Sequence, residues 1–236
     1  STIPSVHSQR RAMARRAGRQ LMQVVEANYP LPRDLVTRKS LENACAAVSA
    51  TGGSTNSVLH IPAIANEAGI EFTVDDVAAV FERTPLITHL SPSGPYLYSD
   101  LHEVGGIPVV LKQLLDGGYL HGDCLTLTGQ TLAKALADAP EPDGKVVVSI
   151  TNPRTQGGGL CVLKGNLAPD GAVIKNAGLE TRHFSGPARV FESEEQCLQS
   201  VIANQIQDGE VIVIRNEGPV GGPGMREMVT VTALLY

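Results

Sequence analysis

The chain has 236 residues, with 24 acidic and 19 basic side chains and a formal net charge of −5. That balance argues against a dedicated nucleic-acid surface, which is basic over a whole domain. Hydrophobic residues at 42% and charged residues at 18% describe a globular protein able to bury one large core or two modest ones, and no apolar run reaches the ~18 residues of a membrane span.

From residue 8 to 27 the chain is rich in Ala, Arg, Gln, Leu and Met, which predicts a helix stopped by Pro30 and Pro32. Arg10, Arg11, Arg15, Arg16 and Arg19 fall at helical spacing there and read as a solvated or ion-paired face more readily than as a phosphate-binding stripe. A second helix is expected from a Thr37 cap, with Leu41, Ala44, Cys45 and Val48 on one face, ending at Gly52-Gly53. Pro62 marks a turn or kink of a third helix running toward Gly69, and Thr73 with Asp75 and Asp76 starts a fourth that buries Val77, Val80 and Phe81. Ser91-Pro-Ser-Gly94 is a turn, Gly105-Gly106 precedes a short apolar helix over 107–115, and another helix is expected over 130–137. Ala139-Pro-Glu-Pro-Asp-Gly144 is a linker by composition. Beyond it, short β-type runs at 146–150, 160–163, 172–174, 188–191 and 211–214 are interrupted by one helix capped by Ser193. The reading is two units, a helical portion over 1–140 and a β-rich portion over 141–236.

Cys45, Cys124, Cys161 and Cys197 are scattered, with no CxxC and no His at zinc-finger spacing, so neither a structural zinc site nor a disulfide framework is expected and a reducing cytoplasm is. The chain opens without an initiator Met and stops inside an apolar run ending at Tyr236. It is therefore expected to be an internal piece of a longer protein.

Three Gly-rich segments carry the chemistry, because glycine lets backbone amides approach a ligand without a Cβ in the way. Thr51-Gly-Gly-Ser-Thr-Asn56, between two expected helices, offers amides and hydroxyls to an anion, although the same residues also make an ordinary cap and turn. It is neither a Walker loop nor a dinucleotide fingerprint. In Asp100-Leu-His-Glu-Val-Gly-Gly106, His102 and Glu103 stand beside a glycine pair, a mix that suits proton handling, substrate contact or metal binding, with a hydrogen-bonded structural His as the plainer meaning. Asn216-Glu-Gly-Pro-Val-Gly-Gly-Pro-Gly-Met-Arg-Glu227 holds two acids and an Arg on a stiff loop after an apolar strand. A carboxylate so placed can ligate a hard cation such as Mg²⁺, and the alternative is a rigid surface loop.

These segments occur in order with His121-Gly-Asp-Cys-Leu-Thr-Leu-Thr-Gly129, Gly165-Asn-Leu-Ala-Pro169, Gly186-Pro-Ala-Arg-Val-Phe191 and Glu217 to Met228. Taken together the series resembles the IlvD/Edd family of dihydroxy-acid and sugar-acid dehydratases over nearly the whole chain. The resemblance implies an α/β fold: the helical tail of an α/β N-terminal domain, followed by a β-barrel-like swivelling C-terminal domain, both incomplete. It implies a homodimeric cytoplasmic lyase that binds a small dihydroxy acid, not nucleic acid or membrane, and converts a 2,3-dihydroxy carboxylic acid to a 2-keto acid in branched-chain amino-acid biosynthesis. Family members use an iron–sulfur cluster and Mg²⁺. By motif position Glu227 is the Mg²⁺ ligand, while Ser54, Thr55, Asn56 and His102 are the substrate-contacting candidates. The family's cluster cysteines, an Asp and a carbamylated Lys would precede Ser1, and its proton-abstracting Ser would follow Tyr236. The chain alone is therefore expected to be inactive, with no catalytic base of its own. The competing expectations are a sugar-acid dehydratase and a non-catalytic carboxylate-binding or scaffolding module.

Overall fold

The computed structural model describes residues 2–179, 183–218 and 228–235. Two compact units are present, Ser1–Gly178 and Leu179–Tyr236.

The first unit is built on helices. Helix α1, Gln9–Ala27, buries none of its residues and ends where Asn28 turns left-handed at φ 51°. The short α2, Pro32–Leu35, leads into α3, Arg38–Thr51, which starts from a reciprocal cap: Thr37 Oγ1 accepts from Ser40 N–H at 3.2 Å, and Thr37 N–H donates to Ser40 Oγ at 2.9 Å. Leu41, Cys45, Ala46 and Ala50 form its buried face; Ala44, expected there, is exposed because the packed side is centred one position further round the helix, and Val48 is half-buried. Helix α4, Ser57–Glu67, runs through Pro62 and buries Val58, Ile61 and Ala65. Helix α5, Val74–Arg83, repeats the capping device with Thr73 and Asp76 and buries Val77, Val80 and Phe81. Then come α6, Tyr98–Glu103, α7, Ile107–Asp116, and α8, Leu132–Ala135, the last shorter than the sequence predicts.

Strands β1, Leu160–Leu163, and β2, Ala172–Lys175, pair antiparallel with Leu160 opposite Lys175. Helix α3 packs against α4, α5 and α7, and α5 packs against β1. The core therefore lies around α3 and includes Phe81, Ile87, Leu101, Val109, Leu114 and Leu160, large apolar side chains whose burial stabilises by about 1.5–3 kcal/mol each.

The run at 146–150 does not form the strand its composition suggests. Its contact with the 85–90 segment is an isolated bridge between Thr88 and Val147. The cause is local. The Asp143 carboxylate accepts from the N–H groups of Lys145, Val146 and Val147 at 3.3, 3.1 and 2.9 Å, so donors that a ladder would need are spent on a turn. Those bonds outweigh burial and hold the Asp143 carboxyl below its ordinary range.

The second unit holds β3, Ala188–Phe191, α9, Glu194–Ile202, β4, Val211–Ile214, and α10, Val229–Leu235. The two strands pair parallel, Ala188 opposite Val211 and Phe191 opposite Ile214. Parallel neighbours need a crossover, and α9 supplies it. Ser193 caps α9 by accepting from Gln196 N–H at 3.3 Å. Phe191, Cys197, Val201 and Val231 form a small core of their own, and Arg189 Nε donates to both Glu210 oxygens at 3.0 and 2.9 Å. The described residues thus mix helices with two small sheets, which suits an α/β class. Among the described residues no barrel closes, and no helix is long and apolar enough to cross a membrane.

Candidate functional site

Helix α3 ends at Gly52, left-handed at φ 57°, and α4 starts after Asn56. The turn between them is tied by short bonds. Gly53 N–H donates to Val48 O at 2.9 Å, and Ser54 Oγ accepts from the Asn56 N–H at 3.2 Å and from Asn56 Nδ2 at 3.0 Å. Ser57 Oγ donates back to Ser54 O at 2.8 Å. Ser54 is exposed, and Thr55 and Asn56 are half-buried. Asn56 does not cap α4, so its amide orients the Ser54 hydroxyl.

What holds the turn comes from a hundred residues further on. Gly159 N–H donates to Ser49 O at 3.1 Å, while Gly159 O accepts from Asn176 and Ala177 N–H at 3.0 and 3.1 Å. A Cβ on Gly159 would lie 2.6 Å from the Gly52 Cα, so the two backbones touch where no side chain fits. Ala177 Cβ rests against Gly52 as well, 3.3 Å from where a Cβ would stand. Beside this junction a cavity of about 370 Å³ opens between α5, Gly157-Gly158 and β1. Asn176 Oδ1 is buried near it without a partner among the described residues.

His102 stands elsewhere in the hydrogen-bond pattern. The segment that reads as a Gly-rich loop forms α6, because Asp100 accepts from Leu97 N–H at 2.6 Å and starts a turn of helix. His102 is half-buried, with Nδ1 3.4 Å from Thr2 Oγ1. Among the described residues its ring does not bond the 51–56 turn. Residues 219–227, and Glu227 with them, lie outside the described residues.

A third polar group was not legible in the sequence. His121 Nε2 lies 2.7 Å from Glu42 Oε2, and Asn43 brackets the His121 backbone, its Nδ2 donating to His121 O at 3.0 Å and its Oδ1 accepting from His121 N–H at 2.8 Å. Arg38 Nε and Arg83 Nη2 each approach Glu42 at 3.4 Å, Arg38 also pairs with Asp76 at 2.5 Å, and Lys39 pairs with Asp123 at 2.5 Å. Burial raises the Glu42 pKa, but the His121 hydrogen bond and the charges of His121, Arg83 and Arg38 outweigh it and hold the carboxyl below its ordinary range. The network pins the start of the 121–129 run to α3.

Profiles of two domains match the chain: dihydroxy-acid/6-phosphogluconate dehydratase N-terminal over residues 1–135, and dihydroxy-acid/6-phosphogluconate dehydratase C-terminal over residues 145–236. The chain belongs to the dihydroxy-acid/6-phosphogluconate dehydratase family. It is similar to dihydroxy-acid dehydratase 2 of Bordetella bronchiseptica, 65% identical over 99% of this chain and 41% of the relative. Dihydroxy-acid dehydratase 3 of Bradyrhizobium diazoefficiens is 58% identical over 100% of this chain and 40% of its own length, and dihydroxy-acid dehydratase of Parvibaculum lavamentivorans is 57% identical over 99% and 41%. The chain spans about two-fifths of the length of these relatives.

The dehydratase-family profiles part between residues 135 and 145, whereas the compact units part at Gly178. Residues 146–178, matched by the C-terminal profile, thus pack in the first unit and supply the Gly159 and Ala177 supports of the 51–56 turn.

The described residues do not fit an iron–sulfur cluster or a Mg²⁺ site. No three His, Cys, Asp or Glu among them gather as ligands. Cys45 and Cys197 are buried in separate units, and burial pushes the Cys45 thiol up to about 12, far from the thiolate a cluster needs.

Proposed function

We propose that this chain is the central part of a hydro-lyase that dehydrates a 2,3-dihydroxy carboxylic acid to a 2-keto acid, in the manner named for its relatives and in the service of branched-chain amino-acid synthesis. The similarity along 99% of the chain to proteins called dihydroxy-acid dehydratase carries this reading. The closely bonded 51–56 turn supports seating the acid there.

In this reading Ser54, Thr55 and Asn56 bind the carboxylate and a hydroxyl of the acid and orient its C2–C3 bond, an entropic contribution to the rate. His102 contacts the substrate from the end of α6. Of the family's cofactors, Mg²⁺ and an iron–sulfur cluster, this chain offers Glu227 to the first and nothing to the second. It contributes binding and orientation, while the base and the remaining ligands belong to the parent protein. Residues 1–140 are the end of its α/β N-terminal domain and residues 141–236 the beginning of a β-barrel-like swivelling domain. The parent is a cytoplasmic homodimer.

The test assays keto-acid formation by the full-length parent and by these 236 residues, with 2,3-dihydroxyisovalerate and with aldonic acids. The parent should convert the former and the isolated chain neither. Turnover by the isolated chain, or a parent that accepts aldonic acids alone, would overturn the proposal. In the parent, Glu227→Gln should weaken Mg²⁺ binding by about tenfold or more and slow turnover while the cluster absorbance stays. Normal Mg²⁺ affinity would remove Glu227 from the ligand set.

A further inference from the structure

The geometry points to Ser93 as a further substrate-contacting residue, its hydroxyl meeting an oxygen of the dihydroxy acid beside the 51–56 turn. This rests on the dehydratase reading and adds to it a residue from a different part of the chain.

The 91–94 turn is closed at its base. Ser91 N–H donates to Tyr96 O at 2.7 Å, and Tyr96 N–H donates to His89 O at 3.2 Å. The His89 and Tyr96 rings meet edge to face, 6.1 Å apart at 69°. Gly94 lies so close under His89 that a Cβ there would be 2.4 Å from the His89 carbonyl oxygen. Ser93 is half-buried and is presented by a backbone with little freedom left.

On its other side Ser93 meets the junction that supports the substrate turn. Gly178, at φ +80°, packs against Ser93 so closely that a Cβ would lie 3.1 Å from the Ser93 Cα and carbonyl oxygen. The preceding residue, Ala177, is the one resting on Gly52. Two turns remote in sequence, one carrying Ser54 and the other Ser93, therefore flank the same two-residue step.

The Ser93 hydroxyl makes no hydrogen bond within the described residues, so the fold gains nothing from it by that route. A hydroxyl with both donor and acceptor capacity, on a turn that packs against the residue following the Ala177 support of the proposed carboxylate-binding turn, suits the hydroxyl or carboxylate oxygen of a 2,3-dihydroxy acid.

The test is Ser93→Ala in the full-length parent, with 2,3-dihydroxyisovalerate as the probe and wild type alongside. The expected result is a KM raised about tenfold with kcat within twofold and an unchanged melting temperature, as when a contact shared by ground and transition states is lost. An unchanged KM overturns the assignment. So does a lowered melting temperature with unchanged KM, which makes Ser93 structural. A wild-type parent that forms no keto acid overturns the dehydratase reading itself, and this inference with it.

Discussion

His121 Nε2 sits 2.7 Å from a Glu42 carboxylate oxygen, joining α3 to a loop that begins 79 positions away in sequence. The carboxyl is depressed in the folded chain against an ordinary value of 4.5. Its contribution to stability is therefore complete above that value and is lost as pH falls below it through the native value. Urea midpoints measured from pH 3 to 7 should show part of this acid slope missing in Glu42→Gln. At pH 7 the variant should be less stable by about 1–2 kcal/mol, from the lost charge-assisted bond. An unaltered acid slope would remove Glu42 from the linkage.

Asn43 is nearly buried and satisfies both backbone groups of His121. Asn43→Ala leaves a donor and an acceptor stranded, and equilibrium unfolding should show a loss of about 2 kcal/mol. Combined with Glu42→Gln the losses should fall short of their sum, since both residues hold the same loop. Full additivity would mean the two contacts are independent.

Thr88 is 1% exposed, and its hydroxyl has no partner among the described residues. Replacing an unsatisfied buried hydroxyl with a methyl removes a desolvation cost, so Thr88→Val should raise stability by about 1 kcal/mol in thermal unfolding. A drop in the midpoint would show that the hydroxyl has a bonding role.

Cys45 is fully buried with its thiol pushed up to about 12, and Cys197 is fully buried too. Iodoacetamide at pH 8 should leave both unmodified in the folded chain while the half-buried Cys124 and Cys161 react. Peptide mapping before and after denaturation reads the difference, and early labelling of Cys45 would contradict its place in the core.

The sequence by itself determined what is written in short range: the Thr37, Thr73 and Ser193 caps, the Gly52 stop, the apolar face of α5, Leu41 and Cys45 on the buried side of α3, the apolar α7, four of the five β runs, and the ordered motifs that carry the family resemblance. Caps and periodicity work over three or four residues, so a linear reading reaches them. The Asp143 turn that keeps 146–150 out of a ladder and the Asp100 turn that puts His102 on a helix are also short-range, but neither follows from composition or apolar periodicity. Only tertiary structure decided that Glu42 meets His121, and that Gly159 and Gly178 seat against Gly52 and Ser93. Those contacts depend on which atoms come within a few ångströms after the chain has closed on itself. No local pattern encodes them.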